Sequence, residues 1–171
     1  MITPRNLICI TALTGLFCLT PALADITVWL EPADPSVNVG ESVDVDIMAS
    51  FDEPVIAWGL DLTIGEPTYA AWTGTTIGHD WDEPSGTLDG DGLAGLRFPS
   101  GIAGDVLLAT LTFEGLMEGQ TMLTLSSGPE EDEGFLLESG YLATNIQYMP
   151  ATLTVVPEPA SLALLGLAAL A

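Results

Sequence analysis

The chain has 171 residues, 48% of them hydrophobic, and carries 24 Asp and Glu against two Lys and Arg, a net charge of −22. A surface of that sign repels nucleic-acid phosphates and anionic lipid headgroups, which excludes the usual nucleic-acid-binding classes. The two cysteines, Cys9 and Cys18, lie near the N-terminus, so a domain built from the rest of the chain has no disulfides and relies on its apolar core.

Residues 1–24 have the layout of a secretory signal peptide. Arg5 supplies a positive n-region, residues 7–19 an apolar h-region, and Ala22-Leu23-Ala24 a small-x-small cleavage site before Asp25. The apolar stretch is short for an ordinary membrane span. Cleavage there leaves Arg97 as the one basic residue against 24 acidic ones, a net charge of −23. Such a surface keeps an exported protein soluble, and it suits a salty exterior in which screening shortens the self-repulsion.

From Asp25 to Val156 the dominant period is two, the period of half-buried strands, whose successive side chains point to opposite faces. Short candidates at 26–30 and 36–39 come first. Val43, Val45 and Ile47 then alternate with Ser42, Asp44 and Asp46, and Trp58, Leu60, Leu62 and Ile64 with Gly59, Asp61 and Thr63. Residues 93–98 form another short candidate. Leu107, Ala109, Leu111 and Phe113 are expected on one face of the next strand, opposite Thr110, Thr112 and Glu114. Leu123 and Leu125, residues 134–137, and Leu153 with Thr154 and Val155 complete the series. Gly, Pro, Asn and Asp punctuate the strands at 32–35, 65–67, 101–104 and 118–119. No stretch sustains a 3.6-residue period. Short strands separated by turn chemistry predict an all-β fold, a single antiparallel jelly-roll-like sandwich over 25–156 with no second domain.

The chain ends on Pro157-Glu158-Pro159 and an apolar run over 160–171. Pro157 and Pro159 lack amide donors, so neither a helix nor a central strand runs through them. As a helix the 12 residues of 160–171 would measure about 18 Å against a hydrocarbon core of about 30 Å, so the run does not span a bilayer alone. Residues 156–167 closely resemble the PEP-CTERM sorting signal of Gram-negative bacteria. That family has a Pro-Glu-Pro motif, a hydrophobic helix and an arginine cluster, which has no counterpart before Ala171. The resemblance implies an exported protein handled by an exosortase, a membrane-embedded cysteine transpeptidase or protease. It also implies a link to exopolysaccharide and biofilm production, and membrane contact through the terminal segments only.

A second resemblance lies in the body. Ala33-Asp34-Pro35-Ser36-Val37-Asn38-Val39-Gly40-Glu41-Ser42-Val43-Asp44-Val45 resembles the opening of a cohesin-like domain. Residues 104–113 and 119–125 resemble its later strands, and 57–63 one of its amphipathic strands. Cohesin-like domains are jelly-roll sandwiches related to carbohydrate-binding modules, and true cohesins bind dockerins. The implied partners are a dockerin-like protein or an exopolysaccharide. The stretch 69–91 does not share the resemblance.

Catalysis has little to draw on. His79 is the only histidine, the body has no cysteine or lysine, and no Gly-x-Ser-x-Gly motif occurs. His79 beside Asp80 reads as a loop residue. An acidic glycan hydrolase using paired carboxylates is the alternative, but in so acidic a chain such pairs arise by chance. For metals, Asp80, Asp82, Glu83, Asp89 and Asp91 surround Pro84-Ser85-Gly86, and hard cations such as calcium take closely spaced loop carboxylates. The EF-hand pattern fails, with Pro84 fifth from Asp80 and Leu93 fifth from Asp89; the other readings are a solvated acidic loop or a structural surface protein that binds calcium through it. Trp72 and Trp81 lie in the least regular stretch, where an indole either packs into the domain or stacks on a sugar. Trp29 and Trp58 fall in strands and are assigned to the core. These readings converge on an exported, non-catalytic surface or matrix protein that binds a protein or polysaccharide.

Overall fold

The computed structural model describes residues 25–82, 93–127 and 133–158. Eleven strands run in chain order: β1 (Asp25–Glu31), β2 (Ser36–Asn38), β3 (Ser42–Gly59), β4 (Asp61–Ile64), β5 (Ala70–Ile77), β6 (Ala94–Leu96), β7 (Ile102–Gly115), β8 (Gly119–Ser126), β9 (Gly134–Leu137), β10 (Asn145–Met149) and β11 (Ala151–Val156). They form a larger sheet ordered β10-β1-β3-β7-β5, to which β6 and β9 add through β3, and a smaller sheet ordered β2-β11-β8-β4. The alternating pattern therefore yields the expected β-sandwich. Val28, Val45, Ile47, Leu111 and Phe113 from the larger sheet and Leu123, Leu125, Leu153 and Val155 from the smaller one are all buried between the layers. At about 25 cal/mol per Å² of apolar surface, this interlayer burial is the main source of stability in a body that has no cysteine.

Most pairings are antiparallel, but β1 with β10 and β2 with β11 run parallel. The reason is that the chain changes sheets twice in the same sense. It leaves the larger sheet after β1 through Pro32 and Pro35 and re-emerges as β2. It leaves β10 through Pro150 and re-emerges as β11. Proline cannot donate to a ladder and is suited to these crossing points. The amides of Thr152 and Thr154 in turn donate to the carbonyls of Ala33 and Pro35, each at 2.9 Å, tying the two crossings together.

The 18-residue β3 is the backbone of the larger sheet. Its first half lies between β1 and β7. A register shift between Phe51 and Val55 bends it, and its second half lies between β9 and β6. The chain then switches sheets at Leu60 to form β4, so one continuous alternation, Trp58-Leu60-Leu62-Ile64, serves both layers while facing the same core. Two strands fall outside the stretches that the sequence singles out as strands. β5 is an edge strand of Thr, Gly and Ala broken by a bulge between Trp72 and Gly74, and β10 is an edge strand with alternate positions exposed.

The strand β7 departs from the expected face assignment. Ile47 pairs with Ala109 and Met48 with Leu107, which leaves Leu108 as an extra residue in the ladder. This bulge reverses the alternation. Leu108 and Ala109 are both buried, and Leu107, expected inside, turns to the outer face. The residues after β5 hold the bulge. The Gly78 amide donates to the Leu108 carbonyl at 2.8 Å, and the Trp81 indole Nε1–H to the Leu107 carbonyl at 3.1 Å.

A Cβ on Gly78 would lie 2.2 Å from the Leu107 carbonyl oxygen, whereas one on Gly74 would lie 3.7 Å from its nearest neighbours on Thr112. Gly78→Ala is therefore expected to cost about 3 kcal/mol through backbone overlap. Gly74→Ala should stay within about 0.5 kcal/mol of wild type. Urea unfolding midpoints of the two variants check the difference.

Candidate functional site

Three regions are singled out by the sequence: the acidic loop after β5, the tryptophans Trp72 and Trp81, and the C-terminal motif. In the first, Asp80 and Asp82 are described, while Glu83, Asp89 and Asp91 lie outside the described residues. His79 is an exposed loop residue with Nε2 3.2 Å from an Asp80 carboxylate oxygen. Asp80 also faces Arg97, whose Nη1 donates to the Asp80 backbone carbonyl at 2.8 Å and lies 3.5 Å from its carboxylate. Asp82 takes part in a backbone bridge with Leu96. The one cation of the body thus pins the loop to the residues following β6. Among the described residues no three acidic, histidine or cysteine side chains converge on a point suited to a metal.

The four tryptophans divide between core and surface. Trp81, a candidate sugar platform, is only 6% exposed. Its ring meets Phe51 and Trp58 edge-on at centroid separations of 6.4 and 6.2 Å, and Phe51 meets Phe135 at 5.4 Å. These T-shaped contacts make a buried aromatic cluster at the bend of β3. Trp72 is half-buried against the core, paired with Phe113, and donates its indole N–H to the Gly74 carbonyl at 2.8 Å. Burial leaves the Trp81 ring no open face for stacking, while Trp72 rests against the core and keeps part of its surface exposed. Trp58 is buried as assigned. Trp29, assigned to the core, instead points outward, because Ile26, Val28 and Leu30 are the inward set of β1. Its register, Trp being the odd member of an Ile-Val-Leu alternation, is the signal that identifies it.

The C-terminal motif begins inside the fold. Val155 is buried in β11 and pairs with Val37, and the Val156 carbonyl accepts the Val39 amide at 3.0 Å. Pro157 and Glu158 follow directly and are exposed. Pro159 and the apolar run lie outside the described residues, as do Ala22 and Ala24 at the other end, where Asp25 opens β1. Among the described residues no helix is long and apolar enough to cross a membrane.

This two-sheet arrangement, with sheet-switching first and last strands, has the fold of cohesin modules. A cohesin module from a family 33 glycoside hydrolase of Clostridium perfringens is 9% identical, with a TM-score of 0.54 over 80% of this chain and 98% of that one. CaCohA2 from Clostridium acetobutylicum is 16% identical, with a TM-score of 0.52 over 78% and 91%. A non-cellulosomal cohesin from the hyperthermophilic archaeon Archaeoglobus fulgidus is 15% identical, with a TM-score of 0.51 over 79% and 92%. Residues 155–171 match the PEP-CTERM protein-sorting motif. No curated protein matches the chain in sequence. The protein is thus a cohesin-like β-sandwich whose last described strand runs into a PEP-CTERM sorting motif.

If Trp81 is a core residue and Arg97 a surface tether, their removal has unequal costs. Trp81→Ala is expected to destabilise by about 3–5 kcal/mol. Arg97→Gln breaks a half-exposed pair and should cost about 1 kcal/mol or less. Equilibrium denaturation of the two variants provides the comparison.

Proposed function

We propose that the protein is an exported, non-catalytic binding module of the cell surface or extracellular matrix. A secretory signal peptide over 1–24 directs export, and an exosortase-type enzyme handles the C-terminal motif. The cohesin-like sandwich then engages a dockerin-like protein or an exopolysaccharide. The observation that carries this reading is the direct passage of β11 into the motif: the last buried strand residue, Val155, already belongs to the matched segment. The sandwich is thereby cargo held against its own sorting signal, with Pro157 and Glu158 exposed at the exit. A role in binding rather than turnover is supported by the fold and by the setting of His79, which stands in an exposed loop against Asp80.

Two measurements test the proposal. In a host with an exosortase, the wild-type chain should appear at the surface or in the medium with a trimmed C-terminus. The triple variant Pro157→Ala, Glu158→Ala, Pro159→Ala should stay untrimmed in the membrane fraction, as read by intact-mass analysis; equal processing of both chains would refute the sorting role. Immobilised protein should retain a protein or polysaccharide from the producing cell's matrix, and retention of neither would refute the binding role.

A further inference from the structure

The outer face of the larger sheet carries a feature that the sorting and fold assignments do not use. Met149 pairs with Trp29, Trp29 with Met48, and Met48 with Leu107, so four large apolar side chains form one row across β10, β1, β3 and β7. Alternation directs each away from the interlayer core. Val28, Leu30, Ile47, Ala49, Val106 and Leu108, their sequence neighbours, are the buried ones. Trp29, Met48 and Leu107 are partly exposed, and Met149 is 52% exposed. The bulge at Leu108 is what brings Leu107 into the row. With strands about 4.8 Å apart, the row is about 14 Å long. The outer face of the smaller sheet is different in kind, presenting Thr63, Thr124, Thr152, Thr154, Gln120 and Met122.

Carboxylates border the row. On one flank Glu31 lies directly opposite Asp46, and Asp44 and Glu114 continue along β3 and β7. On the other flank stand Asp105 and Asp25. Several are held in place by neighbouring strands: the Thr110 hydroxyl donates to Asp46 at 2.6 Å, the Thr112 hydroxyl to Asp44 at 2.8 Å, and the Asn145 amide to Asp25. Like charges directly opposite each other in a sheet destabilise it, and this chain cannot neutralise them. Its only basic side chains are Arg5 and Arg97, and Arg97 is engaged with Asp80.

We propose that this face is a docking surface for a basic amphipathic segment of a partner protein. A short apolar stretch lies on the Met149-Trp29-Met48-Leu107 row, and lysines or arginines on either side meet the flanking carboxylates. The methionines suit this role because their flexible, polarizable side chains adapt to varied apolar partners. A cation relieves the Glu31–Asp46 opposition, which the neutral hydroxyls of a glycan do not. A glycan would also find a single indole with methionine on both sides. A second copy of the chain would bring a like-charged face against this one. The proposal rests on the reading of the sandwich as a binding module and names its partner class.

The test uses the full chain and three synthetic peptides of equal length, alternating Lys with Leu, Lys with Ser, and Glu with Leu. Binding is measured by titration calorimetry at low and physiological salt. Trp29→Ala and Met48→Ser lie on the row and outside the core, and Thr124→Ala lies on the opposite sheet; thermal melts confirm that all three fold. The Lys/Leu peptide is expected to saturate one site, to weaken with salt, and to lose about tenfold or more in affinity with either row variant but not with Thr124→Ala. The Lys/Ser peptide should bind about tenfold or more weakly than the Lys/Leu peptide, and the Glu/Leu peptide not at all. Equal binding by wild type and row variants would overturn the proposal by reducing it to diffuse charge attraction. A soluble polysaccharide whose binding is lost with Trp29→Ala would overturn it in favour of a glycan site, and a dimer dissolved by Met48→Ser in favour of self-association. If the row variants still retain a matrix partner that wild type captures, this face fails while the binding-module reading stands. If wild type captures nothing, that reading itself fails.

Discussion

The parallel pairing of the first two described strands with the last two is the constraint on which the structure depends. β1 with β10 and β2 with β11 are zipped side by side in both layers, and each segment changes sheets through proline at the same level of the sandwich. Neither crossing can form alone. The Thr152 and Thr154 amides find their acceptors only on the crossing segment at 33–35, some 120 residues earlier, so the loop-closure entropy of nearly the whole body must be met before these bonds form. The C-terminal strand is thus the element that closes the fold, and it is also the strand from which the sorting motif departs. Folding of the body and presentation of the motif share the residues Val155 and Val156.

The same economy governs the two surfaces. Because both layers bury their apolar sets against one another, whatever is left on the outer faces is free to differ. The smaller sheet leaves a threonine-rich, largely uncharged surface. The larger sheet leaves an apolar row bordered by carboxylates, and a single inserted residue, Leu108, decides that Leu107 belongs to that row. The bulge is stabilised from the loop by Gly78 and Trp81, whose indole N–H would otherwise be buried without an acceptor. The residue considered as a ligand platform is therefore one of those that shape the opposite surface from within.

Acidity has separate consequences at separate places. Over the surface as a whole it gives a net repulsion toward other polyanions that is strongest at low ionic strength. Locally, the one cation of the body is committed to Asp80, where it secures the loop against the residues after β6. The Thr110–Asp46 and Thr112–Asp44 bonds show how the larger sheet accommodates two other carboxylates through neighbouring hydroxyls.

Much of this was determined by the sequence alone. Period-two alternation specifies the strands and the layered class, since one residue of register moves every apolar side chain from core to solvent; the sorting motif and the cohesin-like opening are local strings and are read directly. Other features are decided only in three dimensions. β5 pairs at a sheet edge, where one partner strand suffices and its side chains alternate weakly, so its pattern does not announce it; β10 alternates, but over only five residues and without a fully buried one. The outward Trp29 is legible as the odd member of its Ile-Val-Leu alternation, whereas the burial of Trp81 leaves no mark in local composition. Trp81 sits in an irregular loop and is enclosed by Phe51 and Trp58, because a side chain's surroundings are set by strands that are distant in the chain and adjacent only once the sandwich closes.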